Sequence, residues 1–89
     1  MLRTVYSKKH YKIYRVVGND YIVYNTRKEF KTGHTHIHNY NTAKYILHLS
    51  LHSSIPKKHI NLYLLQSIIR ISTNKTYVQS IQKLIDQYQ

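Results

Sequence analysis

Three histidines at alternate positions carry the spacing most typical of a chemical site. On a β-strand, His34, His36 and His38 would all project to one face. Neutral imidazole is a ligand for zinc, copper, nickel and iron, so these three residues are candidate metal ligands. His48 and His52, four residues apart, would form a second pair on one face of a helix.

A ribonuclease-like site is the other chemistry that these histidines allow. Two imidazoles would act as acid and base while Lys31 or Lys44 binds the phosphate. A catalytic metal would usually need a carboxylate nearby, and only Asp20 and Glu29 are close in sequence. We therefore favour a binding role without metal or cofactor, in which the strand histidines hydrogen-bond or contact phosphate, and we expect no enzyme.

Positive charge is the strongest feature of the composition. Fourteen Lys and Arg residues stand against three Asp and Glu residues, a formal net charge of +11 over 89 residues. Residues 1–31 alone hold eight basic and two acidic residues, so the excess is densest there. Such an imbalance indicates a polyanionic partner, most often nucleic acid or a nucleoprotein, with an acidic protein as the alternative.

Tyrosines alternate with these cations, a pattern typical of proteins that stack bases and neutralise phosphates together. The same tyrosines could instead be structural, since tyrosine is a good strand residue. The residues that we expect to contact nucleic acid are Lys8, Lys9, Lys12, Tyr14, Arg15, Tyr24, Arg27, Lys28, Lys31, His34, His36 and Lys44.

The composition also excludes several classes of protein. With no cysteine, the chain can form neither disulfides nor zinc-thiolate sites. The longest apolar run is too short to span a bilayer, and residues 1–9 lack the apolar core of a signal peptide. We therefore expect a protein of the bacterial cytoplasm with no membrane partner.

Strand patterns occupy the first third of the chain. Two aromatic and β-branched runs, 11–17 and 21–25, flank Gly18-Asn19-Asp20, which favours a hairpin. Residues 25–31 are predicted to be a polar turn, and 33–38 a third short strand. Residues 1–9 either extend the sheet or remain a mobile basic arm.

Helical spacing follows from Asn39 onward. A first helix is predicted from an N-cap at Asn39, Asn41 or Thr42 to Ser53-Ser54. A second, central helix is predicted from near Pro56 to about Ser72, and a third begins after a cap at Thr73 or Asn74. The expected fold class is α+β: a small N-terminal antiparallel sheet, formed by a hairpin plus a third strand, packed on three C-terminal helices. We expect one domain over 1–89, divided at residue 38.

Two resemblances accompany these patterns. The stretch 21–47, which contains Lys-Thr-Gly-His-Thr-His-Ile-His, resembles short uncharacterised proteins of clostridia and their mobile elements. Three strands followed by a helix opened by Asn41-Thr42-Ala43-Lys44 are similar in order to the AP2-like arm-binding domain of phage integrases, which reads DNA with its sheet. The chain departs from that family because it lacks the usual tryptophan and glycine pattern and has two further helices.

The leading hypothesis is a small, basic, non-enzymatic protein of phage or mobile-element origin that binds nucleic acid or a nucleoprotein. Its size and charge resemble those of an anti-CRISPR inhibitor, whose partner would be a CRISPR effector. One alternative is a DNA-binding transcriptional regulator that dimerises through the third helix. The other is a small nuclease or metal-binding protein built on His34, His36 and His38.

Overall fold

Four consecutive strands open the chain and pair in chain order. In the computed structural model, which describes residues 2–88, β1 spans Arg3–Lys8, β2 Tyr11–Val16, β3 Asp20–Asn25 and β4 His34–Ile37. Each strand pairs antiparallel with the next, and the sheet order is β1-β2-β3-β4. The predicted hairpin and third strand are confirmed, and the segment that the sequence left open forms the edge strand β1.

Within residues 2–88, four helices complete the α+β fold, one more than the sequence predicted. They are α1 at Phe30–Gly33, α2 at Tyr40–His52, α3 at Leu62–Ile71 and α4 at Lys75–Gln87. α1 is a single turn within and just after the segment predicted as a polar turn, and it includes Gly33, which was assigned to the strand. One turn is too short to show a hydrophobic period, which is why the sequence pattern gave no sign of it.

The predicted start of the second long helix near Pro56 was wrong. Residues 54–61 form a loop, and α3 begins only after Asn61. His59 has a φ of 57°, a left-handed conformation that an α-helix does not contain. Proline is favoured at the start of a helix but also in turns and loops, and here Pro56 is a buried loop residue.

Asparagine caps all three long helices. The Oδ1 atoms of Asn39, Asn61 and Asn74 accept hydrogen bonds from backbone N–H groups three residues later, at 3.0, 2.8 and 3.0 Å. Each bond satisfies one of the amides that a helix leaves unpaired at its N-terminus. The start of each long helix is thus fixed by a local side chain.

One face of the sheet packs on the helices. Tyr11, Ile13, Val23 and Ile37 alternate along their strands and enter one core cluster with residues of α2, α3 and α4. From α4 the cluster takes Tyr77, Ile81 and Ile85, so its apolar stripe packs inside the molecule. Among the helices of residues 2–88, none is both long and apolar enough to cross a membrane.

Candidate nucleic-acid interface

The strand register divides the expected contact residues between the two faces of the sheet. Lys12 lies opposite Tyr24, while Arg15 lies opposite Arg3 and two positions from the buried Ile13. Residues that are opposite one another, or two apart on a strand, share a face. Lys12 is therefore on the face away from the helices, and Arg15 is on the helix-facing side.

The face away from the helices, here called the outer face, carries a row of rings. The register places Lys12, Tyr14, Ile22, Tyr24, His34 and His36 on it. Tyr14 and Tyr24 are roughly parallel, with centroids 6.4 Å apart, and Tyr24 meets Phe30 of α1 edge to face at 5.1 Å. The His34 ring stacks on Phe30 at 4.2 Å. Four of the expected rings, Tyr14, Tyr24, His34 and His36, thus lie on one face.

Two of these rings also have structural roles. The Tyr24 hydroxyl donates to the Lys28 carbonyl at 2.6 Å, which ties β3 to the loop before α1. His34 Nδ1 hydrogen-bonds the Phe30 carbonyl. The structural interpretation therefore holds for part of the aromatic pattern, and Tyr14 is the ring with the least part in holding the fold.

Asp20 gives one corner of the outer face a negative charge. Its carboxylate lies 2.7 Å from His38 Nδ1 and 3.6 Å from His36 Nδ1. His34 is turned to Phe30 instead, so the three alternating histidines do not converge on one point. Among residues 2–88, no group of three or more His, Asp or Glu side chains is arranged to hold a metal ion.

A second surface, here called the basic edge, runs along β1 and α2 on the helix-facing side. α2 begins beside Tyr21, whose ring meets Tyr40 at 5.4 Å, and ends near Tyr11, whose hydroxyl meets Ser50 at 2.7 Å. The contacts of Lys44 and His48 with Tyr6 turn one stripe of α2, at intervals of four residues, toward β1. The basic edge consists of Arg3, Lys8 and Arg15 from the strands and Lys44, His48 and His52 from the helix.

Aromatic rings hold the helical part of the basic edge in place. Lys44 Nζ lies 4.9 Å from the centroid of Tyr6 and 5.6 Å from that of Tyr40, both within cation–π range. The Tyr6 hydroxyl hydrogen-bonds His48 Nε2 at 2.8 Å, and the His48 and His52 rings stack at 6.1 Å. The helical part of the edge thus presents Lys44, His48 and His52 along about 12 Å of helix.

The electrostatics of His48 show that these cations act on one another. Its pKa is lowered first by burial and then by the positive charges of His52, Lys44 and Lys8. Within residues 2–88, the carboxylate contacts at ion-pair distance are those of Asp20 with His36 and His38, so the described Lys and Arg side chains carry charge that no carboxylate neutralises at close range.

The remaining expected contacts lie at the end of the sheet where β1 turns into β2. Lys9 is in that turn, and Arg27 and Lys28 follow β3. Lys28 Nζ donates to the Arg70 carbonyl at 2.8 Å, and the Lys31 carbonyl accepts from Arg70, so this part of the chain is joined to α3. The expected contacts thus fall into three groups rather than one surface.

Sequence reasoning omitted three members of the basic edge from the expected contacts: Arg3, His48 and His52. The signal for the helical ones was present, since residues 40, 44, 48 and 52 follow one another at intervals of four. What the sequence did not show is that this stripe would lie beside β1. Comparison of the chain with protein-family models, curated proteins and solved structures finds no match.

Proposed function

We propose that this protein binds nucleic acid, alone or within a nucleoprotein, through the basic edge, and that its role is binding rather than catalysis. The observation that carries the proposal is the alignment of Arg3, Arg15, Lys44 and Lys8 with two histidines along one side of the molecule. Neutralising phosphates with such cations releases counterions, which supplies the affinity and makes it fall with salt.

The geometry favours backbone contact over base reading at this edge. Arg3 and Arg15 lie at the end where α2 begins, and Lys8 lies near the end where it stops. Cations spaced along a length can follow a row of phosphates, and phosphate contacts position a protein without selecting sequence. The proposed function is therefore binding with little sequence preference.

Charge reversal tests this proposal directly. We expect the double variant K8E/K44E to lose at least tenfold in affinity for nucleic acid, and the slope of log affinity against log salt to become shallower by about two. K75E/K83E changes net charge equally but places the new carboxylates on α4, so it should bind nearly as the wild type does. Fluorescence anisotropy over a range of salt concentrations measures both quantities, and equal losses in the two variants would contradict a localised interface.

A phage or mobile-element inhibitor is the version of this proposal that the size and charge favour. An inhibitor of this kind would occupy the nucleic-acid channel of a defence nucleoprotein, such as a CRISPR effector. Affinity purification from a low-GC bacterial lysate, with and without nuclease, tests it. Recovery of one protein partner irrespective of nuclease supports the inhibitor, whereas loss of all partners after nuclease supports binding to nucleic acid alone.

A further inference from the structure

A polar cavity lies where the β1–β2 turn, the end of β3 and the ends of α2 and α3 meet. Its volume is about 150 Å³, and it is lined by His10, Tyr11, Arg27, Ser50 and Ser72 among others. A wider opening of about 530 Å³ shares His10 and Arg27 with it and adds Lys9 and Thr26. We call the two together the polar cleft.

Hydrogen bonds fix the walls of the polar cleft. Thr26 donates to the His10 carbonyl from its backbone N–H at 2.8 Å and from its hydroxyl at 2.9 Å, which joins the turn to the end of β3. The Arg27 backbone N–H donates to Asn25 Oδ1 at 2.9 Å, and Asn25 Nδ2 donates to the Ile71 carbonyl at 2.8 Å. The backbones that carry His10 and Arg27 are therefore held rigidly against α3.

The floor of the polar cleft is a chain of hydroxyl groups with partners of their own. Tyr11 Oη lies 2.7 Å from Ser50 Oγ, which lies 2.6 Å from Ser72 Oγ, and Ser72 donates to the Ile68 carbonyl at 2.6 Å. The hydroxyl groups of the floor are hydrogen-bonded and carry no charge. The positive charge of the cleft comes from the side chains of its walls.

The walls combine three basic side chains, Lys9, His10 and Arg27, with no carboxylate among the lining residues. The pKa of His10 is lowered first by burial and then by the positive charge of Arg27, so the guanidinium acts on the imidazole. The charged and titratable groups that line the cleft are Lys9, His10, Tyr11 and Arg27. An anion between Arg27 and His10 would offset the effect of the guanidinium and favour the protonated imidazole.

We propose that the polar cleft binds the phosphate at the end of a nucleic-acid strand whose backbone lies on the basic edge. This inference rests on the proposed function. Lys8 of the basic edge precedes Lys9 of the cleft, and His52 of the edge follows Leu51, which lines the cleft, so the two surfaces are contiguous. A terminal phosphomonoester carries nearly one more negative charge than an internal diester, and it has three free oxygens for donors such as a guanidinium.

End-labelled oligonucleotides test the proposal. We expect an oligothymidylate with a terminal phosphate at one end, either 5′ or 3′, to bind at least tenfold more tightly than the same oligomer with hydroxyl ends. Arg27→Gln should remove this advantage, so that the variant binds the phosphate-ended and hydroxyl-ended oligomers with affinities within about twofold of each other. Lys12→Gln removes an equal charge from the outer face and should keep the advantage. Equal affinity of wild type for all three oligomers overturns the inference.

Inorganic phosphate separates this inference from the proposed function. Should no oligomer bind, the proposed function fails, and the cleft is then tested by titrating inorganic phosphate while following the His10 imidazole by NMR. A rise in the pKa of His10 in wild type that is absent in Arg27→Gln would assign the cleft to free phosphate and overturn the strand-end proposal. When oligomers do bind, a rise in the pKa of His10 with the phosphorylated oligomer, and not with the hydroxyl-ended one, supports the strand-end proposal.

Discussion

His48 makes contacts that hold the fold and also lies among the positive charges of the basic edge. It accepts or donates a hydrogen bond with the Tyr6 hydroxyl, stacks on His52 and lies near Lys44 and Lys8. Burial and these cations lower its pKa. A polyanion on the basic edge would offset the charges of the cations and raise that pKa again.

Binding should therefore strengthen in acid. We expect affinity for nucleic acid to rise as pH falls from about 7.5 toward about 5.5, because protonation of His48 adds charge to the basic edge. NMR titration of the imidazoles, with and without nucleic acid, measures the coupling. A pKa of His48 that is the same in both states would refute it, and His48→Gln should flatten the pH dependence.

The free protein should respond to acid in the opposite direction. Since the pKa of His48 and that of His10 are lowered in the folded state, the unfolded chain takes up protons first as pH falls through about 6.5. Stability is then lost as pH falls, whereas binding improves.

At the scale of the elements, helix starts depend on single asparagine side chains. Asn39 Oδ1 accepts from the Thr42 N–H, and α2 carries half of the basic edge. A frayed first turn would loosen Tyr40, whose ring supports Lys44. The cap is thus part of how the site is positioned.

Removing this cap should destabilise the protein by about 1 kcal/mol. We expect Asn39→Ala to lower the free energy of unfolding by that amount. Asn41→Ala changes an exposed residue in the same helical turn that is not the cap, so it should be nearly neutral. Urea denaturation of the two variants measures the difference, and equal effects would show that the cap is not what holds α2.

The two glycines of the chain serve the elements around them differently. Gly18 has a φ of 86° in the β2–β3 turn, and a Cβ added there would meet nothing within 4 Å. Gly33 ends α1 where a Cβ would lie 2.5 Å from Lys28 Cβ and 3.4 Å from the Asn25 carbonyl oxygen. The first needs glycine for its conformation, the second for close approach.

Alanine should therefore be costlier at Gly33 than at Gly18. We expect Gly18→Ala to lower the free energy of unfolding by about 1 kcal/mol, the strain of a left-handed backbone. Gly33→Ala should cost roughly 1 to 3 kcal/mol because the loop before α1 must move. Urea denaturation ranks the two variants by their free energies of unfolding. A larger loss for Gly18→Ala than for Gly33→Ala would mean that the loop before α1 moves at little cost.

On the scale of the whole molecule, β1 separates a ring-bearing surface from a charged one. Its exposed residues Thr4 and Ser7 lie on the outer face, and its Lys8 lies on the basic edge. A single strand of nucleic acid bound to the basic edge could place its bases over Thr4 and Ser7 and against the ring of Tyr14. A duplex, whose bases are already stacked, could not.

Tyr14 should therefore contribute to binding of single strands alone. We expect Tyr14→Leu to weaken an oligothymidylate about tenfold and leave a duplex unchanged, because base stacking on a ring contributes about 1 to 3 kcal/mol. Tyr14→Phe keeps the ring and should bind as the wild type does. An abasic oligomer of equal length should bind both Tyr14→Leu and wild type with the same affinity. Equal losses on duplex and single strand would assign Tyr14 a structural role.

Local patterns predicted the sheet and the three long helices, and they included Asn39 and Asn74 among the candidate caps. They failed where contacts between residues distant in the sequence determine the local structure. Pro56 looked like a helix start, yet the left-handed His59 and the cap at Asn61 place that start later. The one-turn helix at Phe30–Gly33 depends on packing against Tyr24 and on the approach of Lys28 to Gly33.

The amino-acid sequence by itself determined that the chain is strongly basic, that strands precede helices and which side of each helix is apolar, because these follow from composition and from periods of two and 3.6 residues. Only the tertiary structure decided which cations share a surface. Lys12 and Arg15, three residues apart on β2, lie on opposite faces as the two-residue period requires. It is the contact of α2 with the Tyr6 side chain of β1 that brings Lys44 and His48 beside Lys8. Such neighbours come from long-range pairing, which no local pattern encodes.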